Sequence, residues 1–275
     1  MNLPVSITKL CSKTGMSRQN FYKSRAAHQR RTADEDRIEE LVQEQRALQP
    51  RLGGRKLYHL LSPDIAIGRD RFFTLLRDRD LLLEPLPKRP RTTNSRHSLP
   101  VFVNQLKDME LSGPCQAWVS DITYLDTSDG FVYLSLIMDA WSRKIMGWHV
   151  GGTLETEESL HALEKAVREL SEGLCPLHHS DRGSQYCSHR YVEKLREYGL
   201  GISMTEEQHC YENAKAERLN GILKQEYGLY GVFRNKAEAE RAVNEAVKLY
   251  NSRRPHQALN YRTPDEVHRQ TVKAA

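Results

Sequence analysis

Three acidic residues carry the chemistry that this chain can do. Asp121 lies in WVSDITYL, Asp181 in HHSDRGSQY and Glu217 in YENAKAERLNG. The first two are 60 positions apart, and 35 residues separate the second from the third. Asp121 interrupts an apolar strand, where a charge is costly unless it is paired or bound to a cation. Asp181 follows a second apolar strand and opens the turn Asp-Arg-Gly-Ser. Glu217 sits in a helical stretch with Asn213 four residues before it and Lys224 seven after, all on one helical face. Hard oxygen donors of this kind select Mg²⁺ or Mn²⁺ over softer-ligand metals. Two such ions, about 3.5–4 Å apart, suit phosphoryl transfer on nucleic acid by activating the attacking oxygen and stabilising the leaving one.

The elements that must position these acids follow from the pattern between about 114 and 225. AWVSDITYL, FVYLSLIMDA and KIMGWHVGG read as three strands, the first two joined across a turn containing Asp129-Gly130. Thr156 is a candidate cap for a helix with Glu157 and Glu158 in its first turn and Leu160, Leu163, Val167 and Leu170 inward. LCPLHHS is a fourth strand, 188–198 a helix, GISMT a fifth strand and 213–227 a long helix. That order predicts an α/β fold: a ribonuclease-H-like sheet with its acids gathered at one edge.

The front of the chain reads as all-helical and DNA-binding. ITKLCSKTGMSRQNFYKSR has the form of a helix-turn-helix. Ile7, Leu10 and Cys11 face inward, Gly15 makes the turn and Ser17 caps a second helix. That helix carries Arg18, Gln19 and Asn20, with Lys23 and Arg25 following, as candidate DNA contacts. Residues 1–33 hold seven basic side chains and no acid, and 85–97 hold Lys88, Arg89, Arg91 and Arg96, again with no acid. Basic segments favour phosphate contact. The expected organisation is a helix-turn-helix at 1–33, a second helical unit at 34–84 bearing Arg69, Arg71, Arg77 and Arg79, a basic linker at 85–113, the catalytic core at 114–230 and a C-terminal helical segment at 231–275.

Composition narrows the class. The chain has 275 residues, 39% hydrophobic and 28% charged, with a net charge of +5. Its five cysteines, at 11, 115, 175, 187 and 210, form no Cys-x-x-Cys pair and suggest reduced thiols in a cytoplasmic protein. No signal peptide or apolar run of membrane-spanning length is evident. His178, His179, Cys187, His189, His209 and Cys210 do not repeat at zinc-site spacing, so no zinc site is expected. A Ser-His-Asp hydrolase is excluded by the lack of a nucleophile elbow.

WVSDITYL, HSDRGSQYCS, ENAKAERLNGILKQEY and YNSRRPHQALNYRTP together resemble the integrase-type core of insertion-sequence transposases. The likeness is to the second-reading-frame product of two-frame elements and runs through Tyr261. The resemblance implies cleavage at element ends to free a 3′ hydroxyl, attack of that hydroxyl on another phosphodiester, and in related elements a circular intermediate. It also implies that Asp121, Asp181 and Glu217 are the metal ligands, that 183–186 form a loop beside them with Gln185 touching DNA, and that Lys224 reaches a phosphate. Arg253, Arg254 and His256 have either a DNA role or a packing role. Two departures, Glu212 for a frequent Asp and Arg218-Leu219 for a Ser-Phe pair, leave the acids untouched. The implied partners are double-stranded DNA at element ends and target, further copies of the chain on that DNA, and an upstream-frame product; a membrane is not among them. Two readings compete with a transposase: a DNA-binding regulator with an inert core, and a non-joining nuclease of the same fold.

Overall fold

The computed structural model describes residues 6–84, 98–206 and 214–270. The basic stretch 85–97, with Lys88, Arg89, Arg91 and Arg96, lies outside the described residues, as do His209, Cys210, Glu212 and Asn213. The chain divides into two compact units, 1–48 with 53–83, and 49–52 with 84–275.

The first unit is helical: α1 (Ile7–Thr14), α2 (Arg18–Leu48), α3 (Gly54–Leu61) and α4 (Arg69–Asp78). Gly15 ends α1 in the left-handed conformation, φ 68°, which glycine adopts without a Cβ clash. Ser17 caps α2, its Oγ accepting from Asn20 N at 3.1 Å. The boundary expected at 33/34 falls inside α2, which runs unbroken for 31 residues. The reason is local: no Gly or Pro occurs between Arg18 and Leu48, so a change of charge alone does not stop the helix. Ile38 and Val42 of α2, Leu57 and Leu61 of α3, and Phe72, Leu75 and Leu76 of α4 are all buried. Two arginines of the α4 region turn to acids on α2. Arg79 meets Asp36 at 2.7 Å and Glu39 at 2.9 Å, and Arg71 pairs with Glu35.

The second unit is built on a mixed sheet. Its strands are β1 (Ala117–Thr127), β2 (Gly130–Asp139), β3 (Ile145–Gly151), β4 (Leu177–Ser180), β5 (Gly201–Met204) and the short β6 (Val232–Phe233). The spatial order is β3-β2-β1-β4-β5. β1–β2–β3 is an antiparallel meander, while β4 and β6 both run parallel to β1. Strand alternation sends odd-numbered β1 residues to one face and even-numbered ones to the other. Ala117, Val119 and Leu125 pack with α8 (Ala214–Glu226) and α9 (Lys236–Arg253). Trp118 and Ile122 pack with α5 (Thr156–Arg168) and α7 (His189–Glu197). Between β4 and α7 lies the one-turn helix α6 (Ser184–Cys187), where a loop is expected from the sequence. The N-cap of α5 is Glu155, without a side-chain cap bond, and Thr156 is the first helical residue.

Two segments expected to stand apart are part of this unit. The stretch 98–113 runs beside β5: Gln105 N donates to Ser203 Oγ at 2.9 Å and Gln105 Nε2 to Ile202 O at 3.0 Å. The second of these bonds serves the backbone of an edge strand. The C-terminal residues close the other edge. Asn251 of α9 holds β3 by both ends of its amide, accepting from Ile145 N at 2.9 Å and donating to Ile145 O at 3.0 Å. Ala239, Val243, Ala246, Val247 and Tyr250 bury the same helix against the sheet. α10 (Pro264–Arg269) ends the described chain, opened by a capping box between Thr263 and Glu266.

Candidate active site

Each acid of the trio is delivered by a different element. β4 accompanies β1 through the pair Val119↔His179, and β6 joins β1 from Asp126 onward. Asp121 lies on the stretch of β1 between those pairings. Asp121 and Asp181 each lie two residues beyond the last β1–β4 pair, Val119↔His179, Asp181 just past the end of β4. Odd numbering turns Asp121 to the α8 side of the sheet, and Glu217 is in the first turn of α8. The link is direct: Asn220, one helical turn beyond Glu217, donates from Nδ2 to Asp121 Oδ2 at 2.7 Å. Asp121 Oδ1 accepts its neighbour's backbone N–H, from Ile122, at 2.9 Å.

Asp181 and Glu217 lie near enough for their charges to act on Asp121. Asp121 is pushed up to about 8, first by burial and then by the charges of Asp181 and Glu217, while the bonds from Ile122 and Asn220 pull the other way. Burial and like charge both penalise the ionised form. Tyr186 of α6 lies buried beneath, its phenol held protonated by burial and by the nearby Asp121 and Asp181. Asp181 Oδ1 accepts from Gly183 N at 2.9 Å. A Cβ on Gly183 would sit 3.0 Å from that same carboxylate oxygen and 3.2 Å from Gln185 Oε1. Glycine here is the residue that lets the turn close on the acid.

A divalent cation fits this donor set. Three oxygen-bearing acids, at least one of them strongly disfavoured as a bare anion, form the environment in which a hard cation supplies the missing positive charge. The buried Oδ1 of Asn220 has no hydrogen-bond partner among the described residues and lies in the same cluster.

The other expected site residues are placed as follows. Gln185 is half-buried on α6 and donates to Leu154 O at 2.9 Å. Lys224 Nζ lies over the Tyr124 ring, 4.3 Å from its centroid. Arg18, Gln19, Asn20, Lys23 and Arg25 are all exposed on the first two turns of α2. They do not share one face: Gln19 and Lys23 lie four apart on one side, and Arg18 and Arg25 seven apart on another. His178 and His179 are buried beside β1 and β5. His178 Nε2 lies 2.7 Å from Ser120 Oγ and 3.1 Å from Tyr191 OH, and burial lowers its pKa to about 3. His179 Nδ1 lies 2.9 Å from Ser203 Oγ.

Arg254 and His256 take the packing role. Arg254 makes a two-pronged pair with Glu226 of α8, both contacts 2.8 Å, and its Nη1 lies 3.0 Å from His256 Nε2. Both residues are buried. Sequence reasoning missed Asn220. Its signal was available in the spacing, since a polar residue three positions after a candidate ligand on a helix shares that residue's face.

Residues 112–210 match an integrase core domain family, and 198–264 match a second family of the same description. The chain is 33% identical over 260 residues to the insertion element IS600 uncharacterized 31 kDa protein of Shigella sonnei, covering 93% of this chain and 96% of that one. It is 36% identical over 216 residues to the transposase for insertion sequence element IS629 of Shigella sonnei, covering 78% and 72%. The cryo-electron-microscopy structure of the simian T-cell lymphotropic virus intasome in complex with the PP2A regulatory subunit B56 gamma is similar in fold. The TM-score is 0.53 at 16% identity, over 82% of this chain and 73% of that one.

Proposed function

Starting from the fact that this chain belongs to the insertion-sequence transposases with an integrase core, we propose that it cuts and joins DNA at the Asp121–Asp181–Glu217 site. The observation that carries this reading is the 2.7 Å hydrogen bond from Asn220 of α8 to Asp121 of β1, which brings the helix that carries Glu217 to the acid of the central strand. Asp121, Asp181 and Glu217 would hold two Mg²⁺ or Mn²⁺ ions. When bound, these ions supply Lewis acidity to the attacking and leaving oxygens.

The chain's own residues do the positioning. Asn220 fixes the Asp121 carboxylate from α8, and Gly183 fixes Asp181 from the turn before α6. Buried Tyr186 lies within electrostatic reach of Asp121 and Asp181. In the cleavage step water attacks a phosphodiester at the element end, the P–O3′ bond breaks and a 3′ hydroxyl is freed. In the joining step that hydroxyl attacks a target phosphodiester: the new P–O bond forms as the target's P–O3′ bond breaks, the attacking hydroxyl gives its proton to solvent and the leaving 3′ oxygen takes one up from it.

Recognition of the element ends is assigned to the helical unit, with Arg18, Gln19, Asn20, Lys23 and Arg25 on exposed α2. The ion pairs made by Arg71 and Arg79 leave α4 a weaker contributor. Gln185, Asn213 and Lys224 would meet DNA beside the acids. Two ends must be processed together, so the active form is an assembly of at least two copies on DNA. An upstream-frame product remains a proposed partner. No helix among the described residues is long and apolar enough to cross a membrane.

Glu217→Gln tests the assignment, because it keeps shape and removes the ligand's charge. Binding to labelled element ends is retained, while Mg²⁺-dependent nicking and strand transfer fall to background. Full activity in this variant overturns the assignment. In the wild-type protein, products joined to target DNA separate a transposase from a non-joining nuclease and from an inert regulator.

A further inference from the structure

Cys115, Asp139 and His268 come from three distant parts of the chain: the turn before β1, the last residue of β2 and the body of α10. One donor atom from each lies within 4.8 Å of the other two. Cys115 Sγ is 3.8 Å from His268 Nε2. A tetrahedral zinc ion with Zn–S about 2.3 Å and Zn–N about 2.0–2.1 Å sets those two atoms about 3.6 Å apart.

The donors are also oriented by their neighbours. Ser142 Oγ donates its only proton to Asp139 Oδ1 at 2.8 Å, so toward His268 Nδ1, 2.9 Å away, it accepts. Nδ1 therefore carries the ring proton, and Nε2 presents its lone pair to the thiol. Asp139 Oδ1 also accepts from Ser142 N at 2.7 Å, and Oδ2 accepts from Cys115 N at 2.7 Å. That leaves a lone pair on Oδ2 for a cation. Asp139 is fully buried. Hydrogen bonds that fix a histidine tautomer and a carboxylate are the usual outer support of a metal site.

We infer that Cys115, Asp139 and His268 bind a zinc ion that ties α10 to the start of β1 and the end of β2. Thiolate, imidazole and carboxylate together select zinc over the hard cations suited to the acid trio. On binding, the Cys115 thiol loses its proton to solvent as the Zn–S bond forms. The thiolate and carboxylate charges then balance the ion. The charged groups facing the cluster are Lys144, Arg143 and Lys215, with Asp265 and Glu169 on the far side of Lys144. Lys144 is itself paired with Glu169 at 3.1 Å and lies 3.9 Å from Asp265. Spacing in the sequence hides this site, because its donors are 24 and 129 positions apart.

The test uses the full chain, reduced and stripped of metal by a chelator, with Co²⁺ alone as the probe. A thiolate-to-cobalt charge-transfer band should grow to one ion per chain and be displaced by Zn²⁺. The acid trio offers only oxygen donors and gives no such band. The double variant Asp121→Asn, Glu217→Gln therefore keeps it, whether or not the DNA chemistry proposed above is right. Cys115→Ser should abolish the band. His268→Gln, near the end of the chain, should remove it or demand at least about tenfold more cobalt. No band in the wild-type chain, a band that survives Cys115→Ser, or an unchanged titration in His268→Gln each overturns the inference.

Discussion

Replacing Asp121 by asparagine should make the cation-free protein more stable while removing its activity. In the folded chain Asp121 holds its proton up to about 8, against an ordinary value of 3.8. The unfolded chain sheds that proton near the ordinary value. Between those limits the folded state binds more protons, so stability falls as pH rises from about 4 to about 8 and then levels. A shift of about four units at 1.36 kcal/mol each sets a ceiling of about 6 kcal/mol. Relaxation and water entry reduce this to a few kcal/mol, or about 5–12 °C in Tm for a unit of this size.

The substituted amide is accommodated without a new cavity, because asparagine and aspartate have nearly the same shape. Its oxygen keeps the Ile122 N–H, and its NH₂ faces Asn220, whose buried Oδ1 needs a donor and meets it after a flip. The assay is thermal unfolding in EDTA at pH 5, 7 and 9, repeated with Mg²⁺. The Asp121→Asn variant should exceed wild type slightly at pH 5, by more at pH 7 and by its full margin at pH 9, and gain little from Mg²⁺, whereas wild type gains most at high pH. Equal melting at pH 9, or a difference that does not vary with pH, refutes the argument that the acids crowd one another.

Asn220→Ala removes a hydrogen bond to a carboxylate worth about 1.5–3 kcal/mol; the Mg²⁺ concentration for half-maximal nicking should rise about tenfold or more, and an unchanged requirement contradicts a role for this residue in holding Asp121. Arg254→Ala removes the two-pronged pair to half-buried Glu226 and should cost about 1.5–3 kcal/mol in urea unfolding; a wild-type midpoint together with weakened DNA binding would return this arginine to the DNA. Gly147→Ala places a Cβ 2.1 Å from Ala162 O and 2.8 Å from Ala166 N on α5. A lowered urea midpoint, by about 1–3 kcal/mol, is expected, and unaltered stability shows that β3 and α5 do not pack this closely.

Much of the sheet was legible from local pattern. β1, β2 and β3 are β-branched and aromatic runs bounded by turn residues, and α5, α7 and α8 show apolar residues at helical spacing. The acids were legible because each breaks or ends such a pattern. Where reading went astray, a local cue was given more reach than it has. The change of charge at 33/34 looked like a boundary, but α2 contains no breaker and continues through it. The stretch 98–113 was read as the end of the basic linker, but Gln105 finds the edge of β5 nearly a hundred residues away. Arg254 and His256 looked equally suited to DNA and to packing, since a charged side chain does not announce from the chain alone whether its partner is a phosphate or Glu226.

The order of residues, taken alone, marked the five longer strands, most of the helices and the three acids that interrupt or end them. Those are short-range matters, governed by side-chain period and by hydration within a few positions. Only the folded core decided that Asn220 would grip Asp121, that Asp181 would act on it, and that Cys115, Asp139 and His268 would gather within 4.8 Å of one another. Contacts between residues a hundred apart depend on how faces pack and on which groups burial forces to find a partner, and neither is written in any local stretch of chain.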